Sequence, residues 1–364
     1  MSEQVILRAF RDGDLDDVIE LRTKVLHSKL SHTREKKLWY WKFNSNPFSS
    51  SRIPHAWVLE HEGKIVGSIE QVAVPMKVGE KIVIGYIGCD FAVQEKYRPY
   101  GVILANKFWR NRKIPFSMVT TTGEGVSDIH KVFGAKELML GRYSWFRIVH
   151  SKNILRKLLD CRSGVIWKIL SNGWLLSTIS GLLDLVFKMK NGTKTYRRKL
   201  RIEKTDEFDS EFDKLWRSVS SHYDILIVRN SKYLRWRYID YPFERPQIFS
   251  AHDDAGNMRG FAVVQVSVSD AMTHAGIMEL FTEPSDKVAQ KELLQAVLTC
   301  ANKHKVDIIL AGSLPLQVCR LLKRNLFWRR KTMHSKYLFK TDEVTSFHGS
   351  KREGNWFVSR GDYH

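Results

Sequence analysis

Two features of one stretch, Ile84–Trp109 (IGYIGCDFAVQEKYRPYGVILANKFW), offer chemistry. Asp90 stands inside an apolar run rich in β-branched and aromatic residues, and a carboxylate there is costly unless it is partnered or functional. Downstream, Arg98-Pro99-Tyr100-Gly101-Val102-Ile103 reads as a glycine-containing turn that opens a helix. Such a turn presents unpaired N–H groups and the positive end of the helix dipole to an anion such as a phosphate. The elements that must hold these groups follow from the pattern. The polar Gly79–Lys81 bounds a buried strand, and Val102, Ile103, Ala105, Lys107 and Trp109 are spaced for the helix after it.

The chain around this unit reads in order. Val5–Phe10 is a strand, and Asp12 or Asp14 caps a helix carrying Val18, Leu21 and Val25 at helical spacing. Lys36–Phe48 is an aromatic helix stopped by Asn46-Pro47. His55–Leu59 and Ile65–Val74 flank Glu62-Gly63-Lys64 as a hairpin. Phe116–Thr122 is a strand, Gly123–Phe133 a helix, and Leu138–Val149 completes the unit as strands. The second half repeats this order: Lys232–Phe243 mirrors Lys37–Phe48, with Trp41/Trp236, Lys42/Arg237 and Phe43/Tyr238 in register. Gly256–Gly260 mirrors Gly63–Gly67, Ile277–Phe281 the central strand, and Leu293–Ala301 the helix after it. Four features in the same order imply a duplicated fold. The repeat places Trp41 and Trp236 in the core and makes Glu279 the counterpart of Asp90 in the second copy. After Phe281 the second copy reads TEPSDKVAQKELL, with neither the arginine nor the glycine of the first.

Tyr97-Arg98-x-x-Gly101 after a hydrophobic strand resembles the pyrophosphate loop of the GNAT superfamily, the acyl-CoA-dependent N-acyltransferases. Ile103 stands where that pattern has a small residue. The resemblance implies an α/β (α+β) chain of two GNAT-like mixed-sheet domains, 1–150 and 201–364, with the first binding acyl-CoA and the second degenerate. It implies N-acyl transfer from acetyl-CoA or a longer acyl-CoA to a small amine such as an amino sugar. The pantetheine arm would pair with Phe91, Ala92 and Val93, and the pyrophosphate would lie on Arg98, Tyr100, Gly101, Val102 and Ile103. Attack by an amine calls for a base, for which Asp90, Glu70 and Glu124 are candidates. Counting back from Gly134, the position where many members carry an acid tyrosine holds His130. Asn355–Asp362 resembles the closing segment of two-domain members, some of which use the terminal carboxylate as base, here that of His364.

Composition bounds the rest. The 364 residues suffice for two cores, and the four cysteines show no metal-ligand spacing, so no metal is expected and a reducing compartment is. The N-terminal segment has no signal-peptide pattern, and a cytoplasmic protein is the expectation. The net charge is +20, and residues 151–201 hold twelve Lys/Arg against Asp160 and Asp184. Within 151–200, Ile154–Leu159 and Ile166–Phe187 are amphipathic, with Trp167 and Trp174 near one end. This basic helical insertion fits an anionic membrane surface, a pair packing across the domains, or a lid over a long acyl chain. Nucleic acid is disfavoured, because no helix-turn-helix, zinc or RNP-like pattern accompanies the charge. Two rivals remain: a non-catalytic GNAT-like protein that binds a membrane or partner, and a long-chain acyltransferase served by an acyl carrier protein.

Overall fold

A computed structural model describes residues 4–120, 122, 124–138, 143–160, 173–190, 199–269, 272–312, 314–331, 337–341 and 356–362. The chain opens with β1 (Ile6–Ala9), α1 (Leu15–Leu26), α2 (His32–Phe43), β2 (Ala56–His61), β3 (Lys64–Val78) and β4 (Lys81–Val93). A 3-10 turn, Glu95–Tyr100, leads into α3 (Gly101–Trp109), β5 (Phe116–Val119), α4 (Glu124–Val132), β6 (Lys136–Leu138) and β7 (Tyr143–Ile148). Then come α5 (Lys152–Asp160), α6 (Gly173–Lys190), β8 (Arg201–Thr205), α7 (Ser210–Ser220), β9 (Ile225–Ile227) and α8 (Ser231–Leu234, continued as a π-turn over Arg235–Ile239). The chain ends through β10 (Gln247–His252), β11 (Met258–Ser269), β12 (Met272–Thr282), α9 (Lys287–Lys303), β13 (Ile308–Ala311), α10 (Leu316–Arg324), β14 (Trp328–Lys331), β15 (Tyr337–Thr341) and β16 (Trp356–Phe357).

Two mixed sheets result. The first runs β1-β2-β3-β4-β5-β15-β6, with β9 on the far end of β3 and β16 on β9; the second runs β14-β7-β13-β12-β11-β10-β8. Pairing therefore does not follow the halves of the sequence. Of the strands expected over Leu138–Val149, the first begins earlier, at Lys136, and closes the first sheet, but Tyr143–Ile148 crosses over and pairs between β13 and β14. In return Tyr337–Thr341, from the end of the chain, fills the gap between β5 and β6. A reading by sequence neighbours places 138–149 in one sheet because local periodicity carries no information about which sheet receives a strand.

The aromatic helix spans His32–Phe43 rather than Lys36–Phe48, and its core face carries Trp39, Trp41 and Phe43. The next residue, Asn44, is its C-cap, and Asn46 turns its side-chain amide back to the carbonyls of Lys42 and Ala73 at 3.0 and 2.9 Å. The Glu62–Gly63 turn has positive φ at both residues, as a two-residue hairpin requires. Where α2 meets α8, Trp41 and Trp236 stack at 5.0 Å with planes 12° apart. Each indole N–H donates to the other tryptophan's carbonyl, at 2.8 and 3.1 Å. The two halves thus meet through equivalent residues.

Of the insertion, α5 and α6 are described and pack on each other. Ile179, Leu182 and Leu185 are exposed on α6. Residues 161–172, which include Trp167, lie outside the described residues. No described helix is long and apolar enough to cross a membrane.

The reciprocal pair generates a prediction. Trp41→Phe keeps the ring stack but removes the N–H and leaves the buried carbonyl of Trp236 without that donor. Urea unfolding should show a loss of about 1–3 kcal/mol; an unchanged midpoint would mean that the hydrogen bonds contribute nothing.

Candidate active site

Parallel pairing of β4 with β5 covers Tyr86–Gly88 against Ser117–Val119 and stops there. Strand β4 runs on to Val93, so Cys89–Val93 lie beyond the last rung of the β5 ladder. The opening holds a cavity of about 260 Å³ lined by residues that include Leu26, Ile69, Asp90, Phe91, Val119, Thr122, Val126 and His130. A bulge in β4 opposite Ile69 shifts the register, and Asp90 sits within it at φ 48°. Bulges of this kind re-aim side chains next to functional sites.

Asp90 meets a buried charge cluster. Arg22 of α1 lies 2.9 Å from Asp90, 3.0 Å from Glu70 and 3.2 Å from Glu35. Lys42 of α2 binds Asp90 and reaches Glu70 at 2.9 Å. Glu70, Cys89 and Asp90 would be close enough to share a metal ion, but Arg22 and Lys42 already contact the two carboxylates. Burial opposes ionisation of Asp90, yet Lys42 and Arg22 outweigh it and hold the carboxyl well below the usual range. Glu70 is fully buried, and burial pushes its carboxyl up to about 7 despite the same two cations. Burial likewise raises the Cys89 thiol, which stays protonated. Of the candidate bases, Asp90 lines the cavity, whereas Glu70 supports it from behind with no exposed surface. Glu124 opens α4, and its side chain lies outside what is described.

On the α3 side of β4, His130 lines the cavity, with its ring 5.9 Å from that of Phe91. The Trp109 indole N–H donates to His130 Nδ1 at 2.8 Å. An indole nitrogen only donates, so Nδ1 accepts and a neutral ring carries its proton on Nε2. Burial lowers this imidazole to about 4. At neutral pH it is therefore a hydrogen-bond donor and not a cationic acid.

The predicted anion loop is exposed. Arg98 pairs only loosely with Glu95, at 3.5 Å, and Tyr100 and Val102 face solvent. Tyr100 caps α3 without any side-chain hydrogen bond to its first turn. Gly101 has ordinary helical φ, so its need is one of space: a Cβ would stand 3.2 Å from the Phe91 ring. The loop and the slot are thus in contact.

The equivalent place in the second unit is filled. The segment Arg360–Asp362 packs on β12, and Arg229, with no exposed surface, holds Asp362 at 2.5 and 2.7 Å. Tyr238 donates to Glu279 at 2.9 Å and Arg237 to the carbonyl of Gly361 at 2.8 Å. A Cβ on Gly361 would sit 2.0 Å from the Tyr238 hydroxyl, so only glycine fits. At the head of α9 the side chain of Asp286 accepts from Ala289 N, and Arg259 pairs with it at 2.7 Å. A carboxylate of the chain itself occupies the position that α3 leaves uncapped. His364 lies outside the described residues.

The sequence marked Lys42 only as the repeat partner of Arg237, and Arg22 and Glu35 not at all. The available signal was a charge on an apolar helix face, since Arg22 follows Val18, Ile19 and Leu21, all buried. The Trp109–His130 bond had no signal in the sequence.

Neither a protein-family model nor a curated protein matches this sequence. Solved structures do match its fold. A conserved protein of Enterococcus faecalis V583, described as a probable N-acyltransferase, aligns at TM-score 0.59 and 8% identity over 94% of this chain and 74% of its own. A GCN5-related N-acetyltransferase from Kribbella flavida aligns at 0.57 and 13% over 93% and 71%. N-myristoyltransferase of Saccharomyces cerevisiae with bound myristoyl-CoA aligns at 0.56 and 12% over 92% and 82%.

The charge cluster has a pH signature. Glu70 holds a proton in the folded state up to about pH 7, above the ordinary 4.5 of a glutamate, so its contribution to stability falls as pH rises through that window. His130 acts in the opposite sense: its folded value near 4 lies below 6.5, so stability falls as pH drops from 6.5. Glu70→Gln should remove the first slope, about 3 kcal/mol across the window, and leave the second. Urea midpoints across that pH range test this, and parallel profiles for the two proteins would contradict it.

Proposed function

Because the chain carries the GNAT fold over nearly its whole length, we propose that it is an N-acyltransferase whose first unit binds acyl-CoA and whose second unit supports it. What carries the reading is the contrast between the two slots: one is open, lined by Asp90, Phe91 and His130, and the other is filled by residues 360–362.

The chemistry follows from the residues in place. The edge of Phe91, Ala92 and Val93 beyond the β5 ladder offers backbone groups to a pantetheine amide, in the manner of an added strand. The uncapped first turn of α3, with Arg98, Tyr100, Gly101, Val102 and Ile103, offers its N–H groups to the pyrophosphate. The thioester carbonyl would then lie by the cavity, where His130 Nε2–H can donate to the oxygen that becomes negative as the amine attacks. Asp90 stays ionised and is a weak base. Its fitting role is to stabilise the ammonium that develops on the attacking nitrogen, with Arg22 and Lys42 fixing its position; collapse of the intermediate then breaks the C–S bond, and the ammonium's proton neutralises the departing thiolate to give the amide and free CoA. The acceptor is a small amine, an amino sugar among the candidates.

Titration calorimetry with acetyl-CoA and a long-chain acyl-CoA tests this. One donor should bind with a stoichiometry of one, and Arg98→Glu should weaken it by about tenfold, the loss of one charge-assisted contact. Binding of neither donor would sink the acyl-CoA reading. Preference for the long chain would favour the long-chain alternative.

A further inference from the structure

A second charged feature lies at the other end of α3, roughly 13 Å along its axis from Gly101. Lys107 and Arg110 project from the last turns of α3, and Arg112 and Lys113 follow on the connection to β5. Arg52 comes from the loop before β2, and Lys340 from β15. Two cavities of about 300 and 400 Å³ open here, and both are lined by Arg110, Asn111 and Arg112. Among the described residues no carboxylate lines either one.

Several cations elsewhere on this unit find acidic partners: Arg8 pairs with Asp14 and Glu60, and Lys131 with Glu137. Among the described residues none of these six does. The contacts they make are of other kinds. Lys107 sits 4.3 Å above the Trp57 ring, the Arg110 guanidinium 5.7 Å from Phe133, and Lys340 donates to the Trp109 carbonyl at 3.0 Å. That last bond matters, because the carbonyl end of a helix repels anions. A lysine on the terminal carbonyl offsets this. Trp57 adds a buried indole N–H that has no hydrogen-bond partner, and it lines the larger cavity. Unpaired like charges that line a concave surface repel one another and focus a positive potential into it.

We infer that this double cavity is a binding site for a phosphate-bearing ligand, separate from the acyl-CoA slot and not dependent on that reading. The donor set suits a phosphomonoester or pyrophosphate group: guanidinium forks from Arg110 and Arg112, ammonium groups from Lys107 and Lys340, and the Trp57 N–H. The phosphate could belong to a soluble molecule or to a lipid headgroup, and the chemistry at the site is shared.

The test uses inorganic pyrophosphate at low salt, followed by calorimetry, on the full chain and on R110A/R112A. Both residues are exposed, so the variant should fold, and its thermal melt checks this. Affinity should fall at least about tenfold in R110A/R112A, and added salt should weaken binding to the wild type. Because the loop at Arg98 would also take a pyrophosphate, the comparison is repeated in an Arg98→Glu background, where binding should persist and be lost on adding R110A/R112A. A parallel arm sediments both proteins with phosphatidic acid vesicles. Binding in the vesicle arm alone, lost in R110A/R112A, supports the site and assigns its phosphate to a lipid. The inference is overturned if R110A/R112A matches wild type in both arms, or if pyrophosphate binding follows Arg98 instead.

Discussion

The two halves of this chain are held face to face by Trp41 and Trp236, each donating its indole N–H to the other's carbonyl across a stacked pair of rings. The contact fixes more than packing. The residues that follow each tryptophan, Lys42 and Arg237, are buried and reach Asp90 and the Gly361 carbonyl respectively. One helix contact therefore sets the position of a cation in each slot. The traded strands, Tyr143–Ile148 and Tyr337–Thr341, reinforce this, because neither sheet is complete without residues from the other half of the sequence.

On this near-symmetric frame the two units diverge through charge. The first collects Arg22 and Lys42 against Glu35, Glu70 and Asp90, an imbalance that protonation of Glu70 relieves. Removing charges from water is expensive unless each is paired and hydrogen-bonded. Each charge of the cluster lies within ion-pair distance of an opposite one, although Arg22 Nε and Nη1, Glu35 Oε2 and Glu70 Oε1 have no hydrogen-bond partner, and Asp90 keeps contact with the cavity. The second unit resolves the same problem by insertion. Arg229, Glu279 and Asp362 close on one another around a segment from the end of the chain, and Asp286 takes the helix head. Filling that place leaves the open slot to the first unit.

Much of this was legible in the sequence. The hairpin at Glu62-Gly63, the strand that holds Asp90 and the repeat of Trp41 in Trp236 all rest on local spacing, and local spacing decides turns, faces and repeats. Asp90 stood out because a carboxylate in an apolar strand needs a reason. The reason itself was not visible. Arg22 and Lys42 lie 68 and 48 residues before it, and nothing local links them. The strand exchange was hidden for the same reason, since β7 and β15 look like ordinary strands wherever they pair. His130 was placed by counting along the helix, but its chemistry depends on Trp109, whose hydrogen bond makes it a neutral donor.

The central claim is that one slot is open and its counterpart is closed by the chain itself. Hydrogen exchange with and without acyl-CoA tests it most directly. Protection should rise across Cys89–Ile103, where the β4 edge and the α3 turn would gain hydrogen bonds. The matching stretch Met278–Gln290 should be unchanged. Protection at both stretches, or at the second alone, would contradict the account.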